Sequence, residues 1–242
     1  MKFFYELWMI LIAACLLACT DYVADIDDAH EKYESANNLT PQTPAERDPG
    51  VLWDGTIHEH RVITGHDAGL GSSGYWYDFT DGQSFFTWPV PKDDDSIRFE
   101  PIIEACGGMC GTVSLVGGSS GDDAYVGIAF QVAGDNRPAD ISDWGGLCIS
   151  YSSDLTITLL MGFGEVMDEF ICWNRPMVNL VPGTEIKACY AWTDFKLRNW
   201  SCKQKMPVED AIKSVAYLNF EFNDSVDRTG SFNITRIAKY GY

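Results

Sequence analysis

The sequence predicts an all-β sandwich over residues 51–242, and two observations carry that reading. Short runs rich in Val, Ile, Phe, Tyr and Trp recur between clusters of Gly, Asp, Asn and Ser, the spacing of strands and turns in a sandwich. Several runs also alternate, so that every second residue falls on one face and can line a core while its neighbours stay outside.

The first element is not part of that domain. MKFFYELWMILIAACLLACT carries a mostly apolar run from Leu7 to Ala18. It is shorter than the ~20 residues that cross a bilayer and reads as a signal peptide over residues 1–18. Leu16-Leu17-Ala18-Cys19 resembles a bacterial lipobox, in which the chain is cut before the cysteine and a diacylglycerol is attached to its sulfur. Ile12-Ala13-Ala14-Cys15 fits the same pattern but leaves a shorter apolar stretch, and cleavage near Ala18 by an ordinary secretory peptidase is the alternative. Each of these routes exports the chain.

Residues 19–50 are polar and acidic, with eight Asp or Glu against two Lys or Arg and three prolines. Too little apolar surface is present to offset chain entropy, so the segment is expected to be a disordered tether. A lipid anchor followed by such a spacer suits display at the outer membrane or cell surface.

The strands are then expected in RVITG (61–65), GYWYDFT (74–80), SFFTWPV (84–90), SIRFEPII (96–103), TVSLVG (112–117), YVGIAFQV (125–132), LCISYSS (147–153), LTITLLMGF (155–163), EFICWNR (169–175), IKACYAW (186–192), SVAYLNFEF (214–222) and SFNITRIAKYG (231–241). Only residues 207–214, acidic early at Glu209 and Asp210 and basic late at Lys213, read as a short helix.

The net charge of −18 excludes nucleic acid and anionic membrane surfaces as direct partners, since both require a basic footprint. Neutral ligands remain, and the alternation suggests how one would be held. A sugar is recognised by flat rings against its C–H faces and by paired hydrogen bonds to its hydroxyls, and Trp and Tyr offer rigid apolar area with a polar tip. In GYWYDFT, Trp76 and Asp78 share one face, while Tyr75, Tyr77 and Phe79 share the other. In SVAYLNFEF, Tyr217, Asn219 and Glu221 lie opposite the apolar Leu218, Phe220 and Phe222. The expected carbohydrate site therefore uses Trp76 as stacking platform, Asp78 as hydroxyl acceptor, Tyr217, Asn219 and Glu221 as a facing polar row, and Trp173 at its flank. On that reading, Trp76→Ala abolishes polysaccharide retention and leaves the thermal melt almost unmoved.

The ordered series SGYWYDFTDGQS, EACGGMCGTVSL, YVGIAFQVAG, DISDWGGLCISYSS, WTDFKLRNW, VEDAIKSVAYLNFEF and GSFNITRIAKYG resembles surface lipoproteins of fibre-degrading anaerobic bacteria. Their galactose-binding-like jelly rolls are related to family-eleven carbohydrate-binding modules and to complex I intermediate-associated protein domains. The resemblance implies a jelly-roll sandwich that binds plant polysaccharide of the β-glucan or hemicellulose class and has no catalytic role. It further implies that WTDFK runs back into the second sheet and that GGLCISYSS is a central strand. No cofactor is expected, although domains of this kind often hold a structural calcium near the chain ends, where Asp54 would be the residue to inspect. With no hydrolase sequence beside the domain, adhesion or glycan capture is expected before enzyme targeting.

Other chemistries compete. Besides the anchor, Cys106, Cys110, Cys148, Cys172, Cys189 and Cys202 are disulfide candidates in an exported chain, with connectivity open among fifteen pairings. The glycines of CGGMC let Cys106 and Cys110 close on each other. A zinc site on those two thiolates lacks further ligands, as does a metal site on His58 and His60, which read as a solvent-facing strand. The glycine and serine loops at 71–74 and 117–121 lack the lysine and spacing of a phosphate-binding loop. A glycoside hydrolase needs a carboxylate pair, for which Glu165, Asp168, Glu169 and Glu221 are the candidates. A structural role, binding surface proteins in an outer-membrane assembly, is the third class.

Overall fold

Among the described residues, eleven strands pair only with antiparallel neighbours and form two sheets facing each other. The computed structural model describes residues 48–69, 71–92, 99–117, 124–199, 202–225 and 227–242. The signal peptide, Cys19 and all but the last three residues of the tether lie outside them.

The first sheet runs β3 (Phe85–Thr87), β4 (Met109–Leu115), β11 (Arg228–Lys239), β6 (Gly146–Ser153) and β9 (Gly183–Ala191), with β1 (Val51–Asp54) also paired to β11. The second runs β2 (Trp76–Thr80), β5 (Ala124–Gln131), β10 (Tyr217–Asp224), β7 (Ile157–Gly162) and β8 (Met177–Leu180). This is a jelly-roll β-sandwich. GGLCISYSS is indeed an interior strand, β6, between β11 and β9. After WTDFK begins with a 3-10 turn at Trp192–Asp194, Lys196 pairs with Met177 of β8, so the segment does return to the second sheet.

Inner faces meet because alternation supplies apolar rows on both sheets. Leu218, Phe220 and Phe222 of β10 are fully buried. Phe222 meets Phe232 of β11 with ring centroids 5.0 Å apart, and Trp53 of β1 meets Trp76 of β2 edge-on at 5.1 Å. Each such ring contributes roughly 1.5–3 kcal/mol by leaving water, so the aromatics crossing the gap hold the layers together.

Two expected strands, over 96–103 and 169–175, are helical in part where they are described, residues 96–98 lying outside the described residues. Pro101 in FEPII lacks an N–H and has a fixed φ, which suits the first turn of a helix, and α1 spans Glu100–Cys106 with Ile102 and Ile103 buried. It stops at Gly107, whose left-handed φ of 61° lets its N–H reach the Ile103 carbonyl at 2.8 Å. The run 169–175 is likewise not a strand: α2 spans Glu165–Phe170 and is followed by turns. Residues 61–65 stay outside both sheets, tied by Ile63 N–H to the Leu52 carbonyl at 2.7 Å and Val62 N–H to the Gly74 carbonyl at 2.9 Å. The short edge strands β1 and β8 were not expected. The helix expected over 207–214 is α3, Val208–Ala211.

All six cysteines pair, as Cys106–Cys110, Cys148–Cys189 and Cys172–Cys202. The first bond closes CGGMC on itself between α1 and β4. The second joins residues directly opposed on β6 and β9. The third ties two connecting segments that matter below.

Candidate functional site

The second sheet has an outer face that its apolar row does not claim. One row of outward residues crosses it as Tyr77, Ala129, Asn219, Leu160 and Met177, and the next as Phe79, Gly127, Glu221, Thr158 and Asn179. Tyr217 stands beside them, paired with Gln131 and Gly162. Small floor residues let rings lie down: a Cβ at Gly127 would overlap the Phe79 ring, and one at Gly162 would overlap the Tyr217 ring. Tyr77 meets Tyr217 edge-on at 6.4 Å.

Two segments from outside the sheet bring charge onto this face. Asp168 of α2 is wholly buried and accepts hydrogen bonds from the Tyr217 hydroxyl and from Phe163 N–H. Arg175 and Arg198 each direct Nη2 at Glu221, at 3.5 and 3.6 Å. Asn223 Nδ2 donates to the same carboxylate at 2.8 Å. Trp173, 43% exposed, stands beside the Arg175 guanidinium, whose Cζ is 5.5 Å from the ring centroid. Two arginines against Glu221 and Asp168 leave the cluster formally balanced, which selects neither anions nor cations.

Its hydrogen bonding is incomplete. Asn219, only 4% exposed, has no partner for Oδ1 among the described residues, and neither does buried Nε of Arg175. Buried polar atoms are nearly always satisfied. Asn174 Oδ1, next to Arg175 in sequence, is a third such atom, and all three are closed to solvent in this structure.

Burial shifts the titrations. It pushes the Asp168 carboxyl above the usual carboxylate range, against the lowering by the Tyr217 hydrogen bond and by Arg175. Burial also raises the Tyr77 and Tyr217 hydroxyls, so both remain neutral donors. Because the folded state holds the Asp168 proton more tightly than the unfolded chain, its contribution to stability is present at low pH and is lost as pH rises through the folded pKa. Asp168→Asn, which removes the buried charge, should therefore gain most relative to wild type at neutral pH and lose that gain on acidification. Melting temperatures of both proteins across that range check this, and a difference independent of pH would refute it.

The structure separates the residues that the alternation had grouped. Tyr217, Asn219 and Glu221 share the outer face, but they do not form the expected open row. The segments that bring Asp168, Arg175 and Arg198 onto this face leave them only 9%, 4% and 7% exposed. Of the expected site residues on this face Trp173, beside Arg175, is the exposed one. Trp76 is not on it. It is 3% exposed and sits between the sheets, against Trp53 and, at 5.3 Å, Phe130. It cannot stack on a ligand, and the residues β2 sends to the site are Tyr77 and Phe79. Asp78 follows Trp76 to the inner side, where it accepts from Lys92 Nζ at 2.8 and 2.9 Å at the rim. Asp168, Arg175 and Arg198 complete the cluster. Asn174-Arg175 beside Trp173 was a visible signal for one of them, but nothing in sequence ties Arg198 to Glu221.

Of the hydrolase candidates, Glu165 and Glu169 are exposed on α2, while Asp168 and Glu221 are engaged as described. Asp54 accepts from Thr56 N–H at 3.0 Å and lies 3.9 Å from Arg236 Nε. His58 caps a 3-10 turn with a φ of 58°, and His60 faces Glu104 at 3.5 Å, so they do not share a strand face. No group of three or more potential metal ligands occurs among the described residues. A mostly apolar cleft of about 560 Å³ is lined by Trp192, Phe195, Leu197 and Val208, the chain running on from Leu197 into Arg198 of the polar cluster.

No protein-family model and no curated protein matches the chain. Solved structures similar in fold include the family 11 carbohydrate-binding module of the cellulosomal cellulase Lic26A-Cel5E of Clostridium thermocellum, with a TM-score of 0.42 and 9% identity over 71% of this chain and 91% of that one. The family 11 module of Clostridium thermocellum in complex with a β-1,3-1,4-mixed-linked tetrasaccharide gives 0.41 and 9% over 72% and 92%. An exo-β-agarase gives 0.36 and 9% over 80% of this chain but 26% of its own.

Proposed function

We propose that this domain binds a neutral polysaccharide, of the β-glucan or hemicellulose class, on the outer face of its second sheet and does not cleave it. The observation that carries the reading is the exposed Trp173 ring beside the Arg175 guanidinium, at the edge of a charge-balanced cluster on the outer face of the second sheet with the half-buried Tyr77 and Phe79. The rings offer apolar surface for the C–H faces of a sugar, and the polar groups at the edge of the cluster are of the kind that bond its hydroxyls. The three disulfides fit an exported domain. With Cys19 lipidated and the acidic tether behind it, the domain would work at the cell surface in adhesion or glycan capture.

Affinity electrophoresis through gels containing β-glucans, xyloglucan or xylan tests this. Retarded migration without release of reducing sugar is expected, and Trp173→Ala should weaken retention by about tenfold, the ~1 kcal/mol scale of an aromatic contact, with an unchanged melt. In cells, Cys19→Ala should leave the membrane fraction. Failure to bind any glycan of the panel, or turnover of one, would overturn the reading.

A further inference from the structure

The strongest unexplained feature is the junction between the two segments that carry the arginines. Cys172 precedes Arg175 by three residues and Cys202 follows Arg198 by four, and the disulfide joins them. The same segments are stitched by Met177 N–H to the Lys196 carbonyl at 3.0 Å, by Lys196 N–H to the Met177 carbonyl at 2.8 Å, and by Asn174 Nδ2 to the Arg198 carbonyl at 3.1 Å. Arg198 Nε also donates to Met177 Sδ at 3.2 Å.

Within the first segment the backbone is strained. Cys172 and Trp173 both adopt left-handed φ values, 55° and 58°, which two successive residues with side chains seldom do. Trp173 N–H is held to the Asp168 carbonyl at 2.7 Å. This kink turns the chain so that Trp173 faces solvent while Arg175 reaches inward to Glu221. Strain of this kind persists where surrounding structure enforces it.

We infer that the Cys172–Cys202 disulfide is a positioning device for the glycan site: it holds the strained Cys172-Trp173 kink and so fixes Arg175 and Arg198 over Glu221 before ligand arrives. Cys106–Cys110 and Cys148–Cys189 lie in or beside the first sheet and do not serve the site. The inference rests on the proposed glycan site, and it predicts that one disulfide of three matters for affinity beyond its effect on stability.

The test compares wild type with Cys172→Ser/Cys202→Ser and with Cys148→Ser/Cys189→Ser. Each is titrated with the oligosaccharide that wild type binds best, at a temperature below all three unfolding transitions. Both variants should melt earlier than wild type. Only the first should bind more weakly, by about tenfold, the scale of re-ordering two long side chains on binding, with an altered Trp173 fluorescence. Equal affinity in the first variant and wild type would overturn the assignment, as would equal losses in both variants. A third protein, Cys172→Gly/Cys202→Ser, relaxes the left-handed backbone without restoring the bond. It should bind more tightly than the serine pair and more weakly than wild type; affinity no better than the serine pair would overturn the part played by the kink, and wild-type affinity would overturn the role of the covalent link. If wild type itself binds no glycan, the proposed function fails first, and that result is distinct from each of these.

Discussion

Replacing Glu221 by alanine is expected to destabilise the domain by about 3–5 kcal/mol, because it leaves buried guanidinium charge without its counterion. Glu221 is 7% exposed and is the acid that Arg175 and Arg198 share, at 3.5 and 3.6 Å. Most of the cost comes from Arg175, whose side chain is 10% exposed, since Arg198 at 25% can recover some solvation. For a domain of this size each kcal/mol moves the melt by about 2–4 °C, so the loss should exceed roughly 6 °C. Glu221→Gln keeps an acceptor for Asn223 and should fall between. Below both transitions, glycan retention by the alanine variant should vanish, because the arginines no longer have a fixed target. A Glu221→Ala protein that melts within about 2 °C of wild type would show that these charges are solvated and the cluster is not the rigid site described.

Trp76→Ala should give a loss of similar size with the opposite functional signature. Truncating a buried indole removes its transfer energy and leaves a cavity, about 3–5 kcal/mol in all. The neighbours that would line it, Trp53, Phe130 and Phe220, are themselves fixed in the core. The melt should drop by roughly 6 °C or more, while retention measured well below the transition stays at the wild-type level. Trp76→Phe, which refills much of the volume, should recover most of the stability. Retention lost with a normal melt would return Trp76 to the site and place Tyr77 and Phe79 elsewhere. The alternation of GYWYDFT allows both outcomes, and burial decides between them.

The difference between β2 and β10 explains how much could be read in advance. In β10 one row is Leu218, Phe220 and Phe222 and the other is Tyr217, Asn219 and Glu221, so only one assignment buries apolar surface. In β2 both rows carry aromatic rings, and hydrophobicity cannot rank them. What ranks them is the partner layer: Trp53 arrives from β1 of the other sheet and makes the Trp76 side the inside. A similar ambiguity misled the readings at 96–103 and 169–175, where short apolar runs fit a strand or a helix. At the first, Pro101 was the helix signal. At the second, Gly164 starts the helix, and Asp168 folds back onto Phe163 N–H.

Cysteine count and export context were legible as disulfide chemistry, and the closure of CGGMC followed from its glycines. That Cys172 would find Cys202 was not legible, since thirty residues of sequence separate them and any pairing of the remaining four was open.

By itself, then, the sequence determined the all-β class, most strands, the polar row of β10 and the readiness of the cysteines to pair, because these follow from local periodicity and from residue chemistry. Tertiary structure alone decided which face of β2 is inside, that the polar row of β10 is covered and not open to solvent, and that Arg175 and Arg198 converge on Glu221. Those contacts join residues distant in sequence, so their energies appear only when two layers and two connecting segments are packed together.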